Sequence, residues 1–263
     1  MGKIIGVLSL KGGVGKTSSV VSLGASLASL GKKVLLVDAN FSSPNLGIHL
    51  NIIDPVQTLH HVIGDNSAIH SAIHELDYFH VLPASVFPHK IIDPLELKKK
   101  LKDIKNLYDF ILIDSSPALN RETLATMTAS DELFVVSTPD FSTLSMTLKA
   151  IKLAKQKGTP ISGLILNKVY NKKFELSLDN IEKTGEVPIL AVVPHDVNVL
   201  RAQANFVPAV YYKSNSNSSL EYKRLASCLA NEIFKEPFKL KTVFKVNPKK
   251  EQVNRDIFYN AVF

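Results

Sequence analysis

The sequence predicts an α/β fold in which helices flank both faces of a mainly parallel, doubly wound sheet. Two observations support it: segments rich in β-forming apolar residues alternate with segments of helical periodicity, and the β segments are almost continuously apolar. Strands have that composition when helices cover both faces of their sheet. A chain of 263 residues suits one large domain, which we expect at 3–236, followed by a tail at 237–263.

Six segments predict the strands of this sheet. The first two are KIIGVLSL near the N-terminus and KVLLVDAN at 33–40. The others are the segment 108–117, which begins YDFILID, and the segments ELFVVSTPD, ISGLILNKV and VPILAVVP. Helices are predicted between them at SSVVSLGASLASLGKK, LSMTLKAIKLAKQKG and VNVLRAQANF, and the first two are expected to end at Gly31 and Gly158.

A glycine-rich turn, LSLKGGVGKTSSV (8–20), joins the first strand to the first helix. Its glycines let the backbone turn with N–H groups pointing inward, and the helix N-terminus adds a positive dipole, so the turn suits phosphate. Lys16 would neutralise charge on the β- and γ-phosphates, and the Thr17 hydroxyl is placed to bind Mg²⁺. Leu10 stands where the ordinary phosphate-loop pattern has a glycine, so the loop is a variant. The predicted ATP-binding residues of the loop are Lys11, Gly12, Gly13, Val14, Gly15, Lys16, Thr17 and Ser18.

Polar side chains end several of the predicted strands. The carboxyl ends of parallel strands lie at one edge of a sheet, so we expect Asp38, Asp114 and Asn167 to converge near the glycine-rich turn. Asp114, at the end of FILID, is the natural carboxylate to hold Mg²⁺ through its waters. The segment 114–120, which starts at that aspartate and is rich in small residues and proline, is a candidate switch that responds to the γ-phosphate.

The segment KGGVGKTS resembles the deviant phosphate loop of the MinD/ParA group of ATPases, and the resemblance covers about residues 3–235. It implies a P-loop NTPase fold of the MinD-like (SIMIBI) class, ATP and Mg²⁺ as ligands, and ATP hydrolysis. In that family the lysine at the position of Lys11 reaches across a two-fold interface to the partner's nucleotide. The resemblance therefore implies a homodimer in the ATP state and catalytic roles for Lys11, Lys16 and Asn40.

The second strand departs from the family pattern, which is Asp-x-Asp, because Asp38 is followed by Asn40. Asparagine can hydrogen-bond the attacking water but cannot accept its proton, so we expect slow hydrolysis and a long-lived ATP state. The segment NFSSPNLGIHL (40–50) resembles the first switch of MinD-like proteins. Asn167 matches the family's adenine-pairing asparagine, and Pro194 opens a loop expected to line the base. The alternative for Asn167 is a strand-end side chain that caps the next turn.

The resemblance implies an ATP-driven spatial switch that positions division or chromosomal machinery, with a protein activator of hydrolysis as a further partner. Two alternatives stay open. A metabolic ligase of the dethiobiotin synthetase type would need a small-molecule pocket with committed acid–base residues, and the sequence shows no such constellation. A nucleotide-binding scaffold without turnover is the other alternative, because Asn40 replaces a carboxylate.

The composition indicates which cellular compartment and which partners to expect. Cys228 is the one cysteine, which excludes a disulfide framework and the cysteine-ligated iron–sulfur relatives, and which suits a reducing cytoplasm. No signal-peptide pattern or apolar run of about 18 residues is seen, so we expect a soluble cytoplasmic protein. The net charge of +7 is concentrated at 98–105 and 235–255. DNA is the weaker candidate partner, because nothing beyond this charge supports DNA binding. A solvated helix face and a solubilising tail also explain the two basic clusters.

Two histidines invite a metal hypothesis. His70 and His74, in AIHSAIHEL, would share one face of a helix at a spacing of four residues. No third ligand follows at a recognisable spacing, so we expect no zinc site there.

The tail after Pro237 ends in VNRDIFYNAVF, whose apolar residues would group on one face of a helix. Bacterial MinD proteins end in a membrane-binding amphipathic helix, which makes peripheral membrane association one alternative. The segment lacks the basic polar face expected for anionic lipids. Docking on the domain or on a partner, and disorder, therefore also stay open.

Overall fold

The structure is a computed structural model that describes residues 2–235. Its strands are β1 (Lys3–Leu8), β2 (Val34–Ala39), β3 (His74–Glu75), β4 (His80–Leu82), β5 (Phe110–Ser115), β6 (Glu132–Ser137), β7 (Ile161–Val169) and β8 (Ile189–Pro194). They form one eight-stranded sheet in the order β3-β4-β2-β5-β1-β6-β7-β8. Every neighbouring pair is parallel except β3 with β4. The predicted fold class is confirmed.

Helices connect these strands. They are α1 (Lys16–Ser29), α2 (Leu46–His49), α3 (Leu59–Gly64), α4 (Leu97–Ile104), α5 (Arg121–Ala129), α6 (Phe141–Lys157), α7 (Leu178–Gly185), α8 (Val197–Ala204), α9 (Ala209–Tyr212) and α10 (Asn217–Leu229). Short 3₁₀ turns occupy Ile69–Ala72, Pro94–Glu96 and Lys105–Leu107. Gly158 follows the last residue of α6, as predicted.

The two faces of the sheet bury alternate residues of each strand. Ile5 and Val7 of β1 belong to a core that includes α1 and α10, whereas Ile4 packs with α3 and α4, and Leu8 packs with α6 and α7. Because β2 and β5 lie in the middle of the sheet, all their residues are buried. Burial on both faces explains why the central strands are almost continuously apolar.

The region between β2 and β5 departs from the sequence predictions. β3 and β4 were not predicted, and the helix expected to carry His70 and His74 is wrong. His70 lies in the 3₁₀ turn Ile69–Ala72, and His74 begins β3, so the two side chains do not share a helix face. The i, i+4 spacing of these histidines has no structural meaning here, because the chain leaves the turn after Ala72 and becomes extended.

Other predictions lie outside the described residues. The tail at 237–263, with its three alternatives, is one of them, and the domain boundary at 236 remains a prediction. Within 2–235, no helix is long and apolar enough to cross a lipid bilayer.

Candidate nucleotide site

A cavity of about 640 Å³ lies at the carboxyl edge of the sheet, over the start of α1. Residues 11–18 line one side of it, and Asn40, Asn45 and His49 line the side formed by the chain after β2. Side chains of α8 and the turn after it, including Leu200 and Phe206, complete the wall. The sequence predicted the first two walls but not the third. Leu200 lies in α8 and Phe206 in the turn after it, and both are exposed apolar residues that follow the carboxyl end of β8. Their position after a predicted strand end is the sequence signal that could have identified them.

The glycine-rich loop has the backbone needed to surround phosphate. Gly13 and Gly15 have φ angles of 78° and 90°, in the left-handed region that favours glycine. A Cβ atom at Gly12 or Gly13 would meet nothing within 4 Å, so the cavity is open at these positions. α1 begins at Lys16 without a side-chain cap or an acidic residue in its first turn. Its first N–H groups are therefore available to an anion.

Asp114 contacts both Lys16 and Thr17, the two loop residues predicted to bind the phosphates and Mg²⁺. Lys16 Nζ donates to Asp114 Oδ1, and Thr17 Oγ1 donates to Asp114 Oδ2 at 2.6 Å. Lys16 and Asp114 are both buried. A hydroxyl and a carboxylate side by side at a helix N-terminus are oxygen ligands of the kind that Mg²⁺ prefers. These residues therefore fit the predicted metal, and the roles of Thr17 as a direct ligand and Asp114 as a ligand through water stay predictions.

Asp38 lies beneath the cavity. It stands opposite Asp114 in the parallel register of β2 and β5. Its carboxylate accepts backbone N–H groups of Asn40 at 3.1 Å and of Asn45 and Leu46 at 3.0 Å each. Burial, and then the charge of Asp114, raise the pKa of Asp38 to about 7 against the opposing effects of the Leu46 and Asn40 hydrogen bonds and the charge of Lys16. Asp38 holds the chain after β2 in place, and its predicted contact with ATP stays a prediction.

Asn40 lies where the family pattern has its second carboxylate, at the wall of the cavity. Its side-chain N–H group donates to the Ser43 carbonyl oxygen. Its Oδ1 atom is buried and has no hydrogen-bond partner among the described residues. Such an acceptor is suited to orient a water or a phosphate-bound group.

Asn167 contacts the loop. Its Nδ2 atom donates to the Val14 carbonyl at 2.8 Å, and Lys168 Nζ donates to the Gly13 carbonyl at 2.6 Å. A Cβ atom at Gly15 would collide with the Asn167 amide, so the loop and the end of β7 are in close contact. Pro194 ends β8 and, like Asn167, is not part of the cavity wall. The expected adenine contacts of Asn167 and Pro194 stay predictions.

Lys11 contacts its own chain. Its Nζ atom lies 2.9 Å from Thr143 Oγ1 and 3.3 Å from Asp140 Oδ1. Asp140 also caps the N-terminus of α6 by accepting the Thr143 N–H group. Burial acts to raise the pKa of Asp140, but hydrogen bonds from Thr138 and Thr143 and the charge of Lys11 outweigh it and lower the pKa to about 2. Lys11 and Asp140 are thus a charged pair at the mouth of the cavity.

A histidine group elsewhere has metal-like spacing. The ligand atoms of His61, Asp65 and His89 lie within 4.8 Å of one another, and this is the one such group in the part of the chain that the structure describes. His89 Nε2 pairs with Asp65 at 2.8 Å, and Lys90 Nζ lies 3.6 Å from the same carboxylate. His61 Nδ1 accepts the Thr58 N–H group as part of a helix cap. These contacts give the three side chains partners within the protein.

The chain is similar to known proteins over most of its length. A family model described as an AAA domain matches residues 2–161. An uncharacterized ATP-binding protein of Methanocaldococcus jannaschii is 34% identical over 230 residues, which cover 86% of this chain and 88% of that protein. The septum site-determining protein MinD of Thermotoga maritima is 32% identical over 245 residues, which cover 88% of this chain and 89% of that protein. The solved structure of the septum site-determining protein MinD of Pyrococcus horikoshii, complexed with Mg-ADP, matches with a TM-score of 0.82 at 32% identity, covering 87% of this chain and 96% of that one.

Proposed function

The chain belongs to the MinD/ParA family of P-loop ATPases, and from this premise we propose that ATP joins two copies of it into a dimer that acts as a spatial switch. The predicted ATPase activity and the use of ATP and Mg²⁺ are confirmed by these relatives. The dimer, its cargo and the roles of individual residues belong to the proposal.

The proposal assigns the phosphates to the loop and to α1. The N–H groups at 12–18 bind phosphate oxygens, and Lys16 leaves Asp114 to neutralise the β- and γ-phosphates. Thr17 and Asp114 would hold Mg²⁺, which supplies further charge neutralisation at the phosphates. The hydrogen bonds of Asn167 and Lys168 to loop carbonyls keep the loop in its phosphate-binding shape.

One observation carries the dimer proposal: Lys11 lies at the mouth of the cavity among exposed apolar side chains. Phe141, next to the Lys11 partner Asp140, is 79% exposed, and Leu200 and Phe206, which line the cavity together with Lys11, are also exposed. Exposed apolar groups that surround a binding site are typical of a surface that meets another protein. A second copy covers this face, and Lys11 exchanges Asp140 for phosphate of the partner's ATP.

Light scattering after size exclusion tests the dimer. We expect the protein to be monomeric with ADP and dimeric with a non-hydrolysable ATP analogue, and Lys11→Ala to remain monomeric in both. Lys155→Ala is the matched control, because Lys155 also forms a surface ion pair, with Glu186, at the other end of α6. If Lys11→Ala dimerises like the control, the bridging role of Lys11 is wrong.

Slow turnover is the second part of the proposal and rests on Asn40. Phosphoryl transfer depends mainly on positioning and charge neutralisation, so an amide that orients water still permits hydrolysis. We expect Asn40→Asp to raise the single-turnover rate by about tenfold, which is less than general-base catalysis usually contributes, because the nearby charge of Asp114 opposes a second carboxylate. An unchanged rate would show that Asn40 does not limit turnover.

The scaffold without turnover is the competing function, and the same residue favours it. Asn40 cannot accept a proton, and its buried Oδ1 has no partner among the described residues. Phosphate release indistinguishable from a blank would select the scaffold. Release that requires an added small substrate would instead select the ligase alternative.

A positioning role follows from the names of the relatives, of which one is a septum site-determining protein. We propose that the cytoplasmic dimer binds a protein activator and positions division or chromosomal machinery. Membrane binding through 237–263 is part of this proposal, and DNA remains the weaker alternative. Co-sedimentation with anionic liposomes, with full-length protein and a truncation after Pro237, tests the membrane contact. Equal sedimentation of the two would remove it.

A further inference from the structure

We propose that a hollow beside the start of α5 binds an arginine or lysine side chain of a protein partner, and that Glu122 is its anchor. This inference rests on the proposed function, because it assigns the hydrolysis activator a site on the chain. The hollow lies apart from the nucleotide cavity, and the residues that line it include Phe41, Pro88, Ile92 and Glu122.

Glu122 has a carboxylate that its surroundings only half satisfy. The side chain is 6% exposed. Its Oε1 atom accepts the Ser42 N–H group at 2.9 Å and also the Ser42 hydroxyl. Its Oε2 atom is buried and has no hydrogen-bond partner within the described residues. Buried carboxylates normally have a partner for each oxygen, so Glu122 can accept a further donor when a side chain enters the hollow and exposes this oxygen.

Helix capping does not explain Glu122. Asn120 already caps α5 by accepting the N–H groups of Glu122 and Thr123 at 3.1 Å each. The Glu122 carboxylate is therefore not needed at the helix end, and it holds Ser42 instead.

The space around Glu122 fits a long side chain with an apolar stem. A hollow of about 320 Å³ is lined by Glu122, by the polar residues Ser42, His60, His89 and Lys90, and by the apolar residues Phe41, Pro88, Ile91, Ile92 and Pro94. Glu122 also forms part of the wall of a second, adjoining hollow of about 640 Å³. Arginine and lysine pack their methylene groups on apolar walls while the charged end reaches a carboxylate. Within the described residues, the one group of side chains spaced to hold a metal ion is His61, Asp65 and His89, and it does not include Glu122.

The cations near this hollow are engaged with other groups. Arg121 Nη2 contacts both carboxylate oxygens of Asp93, at 2.9 and 3.0 Å. Lys90 Nζ donates to the Gly64 carbonyl at 2.7 Å. Neither has a hydrogen bond to Glu122, so these two cations leave its carboxylate free for a cation of a partner.

The rim of the hollow is a surface that suits a protein partner. Phe87 and Ile91 are 80% and 98% exposed, in the loop that precedes Pro94–Glu96. Apolar side chains this exposed, beside a pocket with a half-satisfied carboxylate, are typical of a site that receives a basic anchor residue. The acidic anchor also makes nucleic acid an unsuitable occupant, because phosphate would be repelled by Glu122.

Occupation of this site would act on the nucleotide cavity through Ser42. Ser42 belongs to the segment between Asn40 and Asn45, both of which line that cavity. A cation that pairs with Glu122 competes with Ser42 for the carboxylate, which frees this segment to change position. The hollow thus links a partner to the residues around the attacking water.

The test uses the full chain with Mg-ADP and two probes, the peptide acetyl-Leu-Arg-Leu-amide and the same peptide with citrulline in place of arginine. Citrulline keeps nearly the shape of arginine and loses its charge. We expect saturable NMR shifts at the backbone amides of Ser42, Ile91 and Glu122 with the arginine peptide, and binding at least about tenfold weaker with citrulline. Equal binding of the two peptides, or shifts confined to other regions, would overturn the proposal.

Variants separate the anchor from general surface charge. Glu122→Gln should weaken binding of the arginine peptide at least about tenfold, and Ile91→Ser, at a fully exposed position, by a few fold. Glu132→Gln is the matched control, because Glu132 is a partly buried carboxylate that pairs with Lys3 at the start of β6. An effect of Glu132→Gln equal to that of Glu122→Gln would refute the site, and so would unchanged binding by Ile91→Ser and Glu122→Gln.

A rate measurement tests the link to hydrolysis. The arginine peptide at saturation should raise the single-turnover rate of the wild type by at least a few fold and leave that of Glu122→Gln unchanged. Peptide binding without any rate increase would refute the activator assignment. ATP-dependent dimerisation of Glu122→Gln, followed by light scattering, should equal that of the wild type. If the wild type itself stays monomeric with ATP, the proposed function fails, while peptide binding in ADP still decides this site.

Discussion

The two lysines of the phosphate loop lie five residues apart and are held in opposite ways. Lys16 is 8% exposed and pairs with Asp114, which is 1% exposed. Lys11 is 38% exposed, and its partner Asp140 is 47% exposed. The buried pair cannot be broken without leaving a charge out of water, whereas water can replace either partner of the exposed pair.

This difference shows how one loop can combine a fixed role with a releasable one. Lys16 can leave Asp114 at low cost only where another anion replaces that carboxylate, which suits its proposed role at the phosphates of its own chain's nucleotide. Lys11 can leave Asp140 at little cost, so it is able to serve a second molecule. Four predictions test this contrast, in order of their expected effect on the stability of the chain without nucleotide.

The largest effect is expected for Lys16→Ala. This change leaves Asp114 buried beside Asp38 without a cation, so the free energy of unfolding should fall by about 3 kcal/mol. ATP binding should weaken more than about 100-fold, because the cation on the phosphates is lost. Urea unfolding and nucleotide titration measure the two effects. A stability change below about 0.5 kcal/mol would contradict the buried-pair interpretation.

The second prediction concerns the pH dependence of stability that is due to Asp38, which lies opposite Asp114, the partner of Lys16. Burial and Asp114 raise the pKa of Asp38 from 3.8 to about 7, so the folded chain keeps a proton that the unfolded chain has released. Stability from this group is complete below about pH 4 and is lost as the pH rises through about 7, a change on the order of a few kcal/mol.

Urea unfolding between pH 5 and 8 measures this slope, with Asp38→Asn as the comparison. The variant loses a hydrogen-bond acceptor, so its absolute stability also changes. The informative quantity is therefore the slope, which should be flatter in Asp38→Asn. Parallel curves for the two proteins would contradict the prediction.

The third prediction is a small change in stability when the exposed pair of Lys11 and Asp140 is broken. Lys11→Ala should change the free energy of unfolding by less than about 1 kcal/mol, because surface ion pairs contribute little. Lys155→Ala, which removes another exposed ion pair, should give a similar value. A loss from Lys11→Ala as large as that from Lys16→Ala would show that both lysines are structural.

The smallest effect separates charge from capping at Asp140. Asp140→Asn keeps a good helix cap for α6 and removes the anion that holds Lys11, so we expect a loss of about 0.5 kcal/mol or less at low salt. Raising the salt concentration to about 0.5 M should abolish this loss by screening but preserve most of the effect of Lys16→Ala, which is buried. Equal salt sensitivity of the two variants would erase the contrast between them.

Much of the site could be predicted from the sequence because its parts are local or follow from topology. The loop is a continuous string of residues whose backbone and charge requirements are visible in the sequence itself. Asp38 and Asp114 end two parallel strands, and parallel register brings such ends together. Neither inference needed knowledge of how side chains pack.

Contacts between distant segments could not be predicted in this way. The hydrogen bond from the Asn167 amide to the Val14 carbonyl was not predicted, because it is set by the approach of β7 to the loop. β3 and β4 have two and three residues, too few for a periodic pattern, which is why the region around His74 was assigned to a helix. Glu122 gave no sequence signal at all, since an oxygen without a partner becomes visible only when burial is known.

The hydrogen bonds between the end of β7 and the glycine-rich loop determine which parts of the nucleotide site can change position. With the carbonyls of Gly13 and Val14 tied to side chains at the end of an inner strand, the cradle itself has little freedom to respond to the number of phosphates it holds. We therefore expect structural differences between the triphosphate and diphosphate states to lie in the other walls of the cavity, which are formed by the chain after β2 and by α8. The segment after β2 is anchored by the side-chain carboxylates of Asp38 and Glu122, and a change of charge can loosen such anchors.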